Sequence, residues 1–425
     1  MAEIRPFRGL LYNGEKIKGD YGSVMAPPYD VISDELRDQL YEKSEYNIIK
    51  LILGKTRETN GTKENCYTRA KKLFQRWQEE DVLKKDETDS IYIYVQEYVY
   101  KDKKCRRIGF MSLMKIDDSV LPHEYTLSKP KKDRMSLIKE IKGNLSPIFS
   151  LYDDKNGKIK ETLKESISFS DPIIDIESDG QRHMLWRFSD QEKIKTIIDE
   201  MSGDNTFIAD GHHRYEVGRM YRDEISKEEG YNGNADHIMM YFTDLSDNDN
   251  LTVVGTHRVI KEMPKTDSKE MIEKFEEFFE LTECDNLNNL TNMLEDELDT
   301  PHCYGFLLKG QYFFLRPKDS KRLKGLIIED KSDKWKELDV SILHSSVFDK
   351  VLSIDGSEGN IVYVKTPDSA ESLVEGGECD AAFLLNPTRV KQLKAVAELG
   401  EMMPQKSTYF FPKLLSGLVM NKFEE

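Results

Sequence analysis

Thr206-Phe-Ile-Ala-Asp-Gly-His-His-Arg-Tyr-Glu216 reads as a strand that breaks into a helix. Phe207-Ile-Ala209 is a short apolar run coming out of a core. Asp210-Gly211 ends it in a turn, and from Tyr215 to about Ile225 the pattern becomes helical. The first turn of that helix offers unpaired backbone N–H groups, the positive end of a dipole, two imidazoles (His212, His213) and the Arg214 guanidinium. That combination suits an anion, and phosphate best of all. Asp210, at the strand end, stands where a general base or a Mg²⁺ ligand belongs; an N-cap is the plainer use of the same residue.

Working outward, strands and helices alternate along the chain, which predicts an α/β (α+β), multi-domain fold. Towards the N-terminus, Ala26-Pro-Pro-Tyr-Asp-Val-Ile32 is extended because each proline restrains itself and its predecessor. Tyr29 and Asp30 there either line a site or form a rigid turn. Ser33 caps a predicted helix over 34–43, and Asn47–Leu53 reads as a strand. A helix over 64–80 puts Tyr67, Ala70, Leu73, Phe74 and Trp77 on one face. Two β-rich runs, Ser90–Val95 and Ile108–Leu113, flank a charged tip, Lys101–Arg107. Residues 151–200 are polar, read as an insertion, and end in a helix over 190–201. Strands follow at 236–243 and 251–255, the latter running into His257-Arg258. Those two bind a substrate carboxylate or serve the fold. Beyond Met263-Pro264, Ser268 caps a helix, 303–308 and 311–316 form a hairpin, 338–351 is helical, and 360–364 and 380–385 are strands before a helix over 388–399. The expected domains are therefore 1–120, 121–262 and 263–425.

At 425 residues the chain can build two or three cores. Its net charge of −16 disfavours DNA and anionic membranes as partners. No apolar run approaches a membrane span, and the N-terminus has no signal-peptide core. Five widely spaced cysteines without a Cys-x-x-Cys point to neither disulfides nor zinc. A cytoplasmic location is expected.

Several stretches resemble known families. Asp210-Gly-His-His-Arg-Tyr215 resembles the phosphate-binding signature of the ParB/sulfiredoxin-like superfamily, and among its members the free-serine kinases. Arg5-Pro-Phe-Arg-Gly-Leu10, Ala26–Val31, Leu121-Pro-His-Glu124, Asn144–Ile148, Ile208–Arg214 and Met403-Pro-Gln-Lys-Ser-Thr408 together resemble the domain of unknown function 1015 family over nearly the full length. The resemblance implies a ParB/sulfiredoxin-like nucleotide-binding core over 121–262 with an insertion at about 151–200, plus a C-terminal α/β domain. It also implies ADP or ATP, with Mg²⁺, as cofactors and a small hydroxylated metabolite as acceptor.

The implied roles follow the matching residues. Those kinases carry a Pro-His-Glu whose Glu activates the substrate hydroxyl; here that residue is Glu124, with His123 beside it. Gly211, His212, His213 and Arg214 hold phosphates, and Asp210 orients the hydroxyl or holds Mg²⁺. Lys406, Ser407 and Thr408 resemble the kinases' Pro-Lys-Thr-Thr segment and complete the substrate pocket; an exposed basic loop is the plainer reading. Two departures stand out. The kinases' Arg after that segment is replaced, since Tyr409 and Phe410 follow Thr408, and the gap from Glu124 to Asp210 is longer. The expected function is a nucleotide-dependent phosphotransferase; the alternative is a non-catalytic nucleotide-binding regulator of the ParB type. A sulfiredoxin-like reductase is excluded because His212-His213 stands where it needs a cysteine.

Overall fold

The computed structural model describes residues 2–55, 65–247, 250–265, 268–354, 356 and 359–423. The helix start expected at Glu64, part of the loop over 244–250 and the side-chain cap expected at Ser268 lie outside the described residues. The chain divides into two compact units. Unit 1 comprises residues 1–121, 126–252 and 412–425; unit 2 comprises 122–125 and 253–411.

Unit 1 is built on a nine-stranded mixed sheet. From one edge the strands run Val120–Leu121, Thr206–Asp210, Ile148–Tyr152, His237–Asp244, Lys103–Lys115, Ile91–Tyr100, Gln181–Phe188 and Ile174–Ser178, with Ile4–Arg5 added on Lys103–Lys115. Thr206–Asp210 lies parallel to Val120–Leu121 and antiparallel to Ile148–Tyr152. Its register shifts between Ile208 and Asp210, so Asp210 faces Phe149. Such a bulge re-aims the side chain that follows it. Helix His212–Ile225 begins directly after the strand and packs on helix Ser128–Ile141.

The division expected at residue 120 does not separate two bodies, because strands from 91–115 and 148–244 share this one sheet. Residues 151–200 are likewise part of the core and not an appendage. They supply Gln181–Phe188 and Ile174–Ser178 to the sheet, and Met184, Trp186, Ile194 and Ile197 to the cluster around Ile93 and Phe110. The polar look of that segment comes from its outward positions: the burial of Ile174–Ser178 alternates along the strand.

Other local expectations resolve in physical terms. Asn47–Leu53 is not a strand. Ile49–Ile52 forms one helical turn, started by the Asn47 carboxamide, which accepts from the Ile49 N–H at 2.9 Å and donates to the carbonyls of Ser23 and Met25. A short apolar run fits either state until such a cap decides it. The charged tip is only Lys101-Asp102, both in the left-handed region that a tight hairpin turn requires. Arg107 therefore lies within the strand and is buried. The helices expected over 34–43 and 190–201 form, capped by Ser33 and Asp190.

Unit 2 holds a six-stranded antiparallel sheet in the order Phe279–Cys284, Gln311–Pro317, Tyr304–Leu308, Ala381–Leu385, His257–Ile260, Ile361–Val364. Both faces are covered. Phe306, Phe383 and Leu385 pack with Phe275, Phe279 and Phe348, while Leu307, Ala382 and Leu384 pack with Leu290 and Val374. Two buried faces explain why Ala381-Ala-Phe-Leu-Leu385 is apolar throughout instead of alternating. His257 and Arg258 do not trail a strand over 251–255; they open the strand His257–Ile260. Among the described residues no helix is long and apolar enough to cross a membrane.

Met184 separates a core segment from an insertion. Met184→Ala should cost about 2–5 kcal/mol in urea denaturation, as for a buried methionine; a loss below about 0.5 kcal/mol, the range of surface changes, contradicts the placement.

Candidate functional site

Gly211 sits at φ 94°, a left-handed conformation that L side chains rarely adopt. A Cβ there would also lie 2.9 Å from the Arg214 guanidinium, which folds back over the glycine. Gly211 is thus required by its backbone, and any side chain there would displace the guanidinium that lies upon it. Arg214 donates through Nη2 to Asp210 Oδ2 at 3.0 Å and through Nη1 to the Pro147 carbonyl. Its Nε is buried and has no hydrogen-bond partner among the described residues.

Asp210 accepts a second cation, Lys413 Nζ, on Oδ1. The three side chains are only 12–16% exposed. Burial alone raises the Asp210 carboxyl pKa; the Lys413 ammonium and the Arg214 guanidinium outweigh it and hold the group below the usual carboxylate value. The Lys413 main chain is itself fixed. Gln96 Nε2 donates to the Lys413 carbonyl at 3.0 Å, and Arg107 Nη2 donates to the Pro412 carbonyl at 2.5 Å.

The two histidines differ. His213 Nε2 accepts from the Leu127 N–H at 2.8 Å, at the start of helix Ser128–Ile141. Glu216 accepts from Thr126 and from Lys131 Nζ at 2.9 Å, tying the same two helix starts together. His212 is buried beside Asp210 and adds to the charge that depresses its carboxyl. Behind Arg214 opens a mostly apolar cleft lined by Tyr29, Ile52, Arg134, Leu137 and Val217 among others. The Arg134 guanidinium lies 4.0 Å from the Tyr29 ring centroid and donates to the Ile52 carbonyl at 2.8 Å. Tyr29 thus joins the proline-rich stretch to the motif.

Unit 2 carries the other predicted residues. His123 is fully buried, with Nε2 2.9 Å from the Thr408 hydroxyl, and its carbonyl accepts from the Met403 N–H at 2.7 Å. Glu124 bridges Met403. Lys406 is exposed and left-handed at φ 56°. Ser407 is buried, its hydroxyl on the Pro404 carbonyl, and its own carbonyl accepts from Thr388. Arg258, 1% exposed, donates to the carbonyls of Thr256, Gln405 and Lys406 and, through Nε, to His344 Nε2 at 3.2 Å. Burial pulls the Arg258 guanidinium down to about 10. His344 falls to about 3, through burial first and the Arg258 charge second, so it accepts as a neutral ring.

A family of proteins of unknown function, DUF1015, matches residues 4–341. The chain belongs to this family. No curated protein matches the sequence. Among solved structures, this DUF1015 protein is similar to a conserved hypothetical protein from Pyrococcus furiosus, at 13% identity and TM-score 0.36, covering 73% of this chain and 94% of that one. It is similar to a variant free serine kinase in complex with AMP, at 12% identity and TM-score 0.36, covering 71% and 87%. It is also similar to SbnI with C-terminal truncation from Staphylococcus aureus, at 12% identity and TM-score 0.36, covering 72% and 85%.

Unit 1 of the DUF1015 protein therefore gathers Asp210, Gly211, His212, His213 and Arg214, and unit 2 gathers His123, Glu124, Arg258, Lys406, Ser407 and Thr408. Two expected roles need correction. His257 is not presented to a ligand: it is buried, its Nδ1 accepts from the Leu385 N–H at 3.2 Å, and burial takes it down to about 3. Asp210 stands here as the acceptor of two cations, Arg214 and Lys413, and not as an open metal ligand. Sequence reasoning missed Lys413, Gln96, Arg107, Arg134 and His344 as parts of these clusters. Lys413 left one signal, a lone cation after a proline in the apolar run Phe410–Leu415.

Two outcomes follow. Gly211→Ala should lose about 1 kcal/mol or more from the left-handed backbone alone, and should also push Arg214 off Asp210; unchanged melting contradicts this geometry. Asp210 has a depressed pKa, so its stabilisation is complete above its ordinary value of 3.8 and is lost as pH falls through the lowered one. The stability gap between wild type and Asp210→Asn should therefore be widest near neutrality and close in acid. A gap independent of pH in denaturation curves contradicts the ion cluster.

Proposed function

We propose that the protein is a nucleotide-dependent phosphotransferase acting on a small hydroxylated metabolite, with L-serine the first acceptor to test and the cytoplasm as its location. The observation that carries this reading is the left-handed Gly211 turn, which brings Arg214 and Lys413 together at the start of a fourteen-residue helix. Backbone N–H groups at a helix start, a guanidinium and an ammonium form the donor set that phosphate oxygens require. The apolar cleft beyond Arg214, edged by Tyr29 and Arg134, suits the base of ADP or ATP. In this reading unit 1 contributes a ParB/sulfiredoxin-like phosphate site.

Glu124 is the base that takes the acceptor's hydroxyl proton, and Lys406 meets the acceptor, while buried His123 and Ser407 hold the loop through Thr408 and the Pro404 carbonyl. Arg258 acts through the loop: its guanidinium holds the carbonyls of Gln405 and Lys406. A Mg²⁺ ion accompanying the nucleotide would be held by phosphate oxygens, since both Asp210 oxygens are paired with cations. Asp210 instead fixes Arg214 and Lys413, so that the donors are in place before the phosphate arrives.

Thermal shift with ADP and ATP, followed by turnover assays over a set of small alcohols, tests the proposal. A nucleotide that binds the folded chain should raise the melting temperature with concentration. Arg214→Ala should weaken nucleotide binding roughly tenfold or more, the weight of a charge-assisted contact. Glu124→Gln should keep binding and lose ~10²–10⁴ in turnover. A chain that binds nucleotide yet phosphorylates no alcohol is a regulator of the ParB type, and one that binds none has neither function.

A further inference from the structure

Lys406 holds a left-handed backbone, at φ 56°, while its side chain stands exposed to solvent. That conformation costs free energy in a residue with a Cβ and persists only where the surroundings impose it. Within unit 2 the imposing contacts come from Arg258. Its Nη2 donates to the Gln405 carbonyl at 3.3 Å and to the Lys406 carbonyl at 3.2 Å. These belong to the two peptide units that flank the Lys406 Cα, so one nitrogen restrains the chain on both sides of it. The Ser407 hydroxyl, on the Pro404 carbonyl, closes the turn.

A guanidinium can clamp two carbonyls only if its own plane is fixed. Arg258 Nη1 donates to the Thr256 carbonyl, close by in sequence. The remaining restraint comes from another element: Nε donates to His344 Nε2 at 3.2 Å, from the widely spaced helical stretch Ile342–Leu352. His344 is itself wedged in place. Its ring centroid lies 5.1 Å from that of Phe348, and Phe348 lies 5.0 Å from Phe383, the residue opposite Arg258 in the sheet. Burial first and the Arg258 charge second bring His344 down to about 3, so near neutral pH its Nε2 keeps the lone pair that Arg258 needs.

We propose that His344 is a positioning residue: by accepting from Arg258 Nε it sets the plane of the guanidinium, which in turn holds Lys406 in the turn that presents its ammonium. Resting on the reading of this loop as the acceptor's, this names a residue for that site which touches neither acceptor nor nucleotide. The turn is formed before the acceptor arrives, so binding does not have to order it. No covalent bond is made or broken.

The test uses the full chain, with limited trypsin cleavage of the Lys406–Ser407 bond followed by mass spectrometry, thermal melting, and turnover with L-serine. His344→Leu removes the accepting atom. Cleavage after Lys406 should then rise about tenfold or more, the weight of one hydrogen bond to a charged group, because cleavage follows the population of the opened loop. His344→Gln, which places an amide oxygen near the position of Nε2, should restore resistance. Arg258→Lys keeps the charge without the planar fork and should release the loop as well. Should His344→Leu not fold, His344→Asn, polar but too short to reach Nε, takes its place. In turnover, His344→Leu should raise the KM for the alcohol roughly tenfold and leave the KM for nucleotide near the wild-type value. Variants that melt earlier yet keep the Lys406–Ser407 bond as resistant as in the wild type make His344 a packing residue and overturn the proposal. A released loop with an unmoved alcohol KM overturns it too. Wild-type protein that phosphorylates no alcohol removes the acceptor reading alone, and the cleavage rates then decide the positioning by themselves.

Discussion

A carboxylate shared by two cations organises unit 1. Asp210 receives Arg214 from its own helix and Lys413 from a segment near the C-terminal end of the chain, so one side chain ties the edge of the sheet, the start of a helix and residues 412–413 together. The bulge before Asp210 and the left-handed glycine after it exist in the service of that contact: the first re-aims the carboxylate, the second lets the guanidinium fold back over the backbone.

Unit 2 uses the opposite device. Arg258 is buried and donates its hydrogen bonds to neutral acceptors, three carbonyls and one imidazole. Its charge is spent on main-chain oxygens, and the result is a loop whose Lys406 stays left-handed and exposed. His344, which accepts from it, lies in a helical stretch of wider spacing over Ile342–Leu352, a geometry that recurs at functional sites. Cation and loop are coupled through backbone, so the exposed side chain of Lys406 takes no part in that coupling.

The sequence made local chemistry legible and long-range pairing illegible. Turns, caps and amphipathic faces were readable because their causes lie within a few residues: Ser33 and Asp190 as caps, Phe74 and Trp77 on one stripe, Gly310 between two strands. The motif at 206–216 was readable for the same reason. Lys413 was not, because its partner is 203 positions away and an isolated lysine has no periodicity. The one-turn helix at Ile49–Ile52 was misread because four apolar residues look alike in either state, and only the Asn47 carboxamide distinguishes them. The polar segment at 151–200 was misread because composition averages over two faces, while burial depends on which face each residue takes.

The division of the chain has a consequence for its synthesis. Unit 1 includes 412–425, and Met420, Ser416 and Asn421 pair with Leu10, Ala26 and Asn144. On a ribosome moving at ~5–20 residues per second, the intervening unit takes on the order of 10 s to emerge. During that interval the first 250 residues hold an open seam where the last strand belongs, and Asp210 has only one of its two cations. The nascent chain must keep that seam from other partners until the segment from Pro412 onward arrives, so the order of synthesis makes unit 2 the first body able to close.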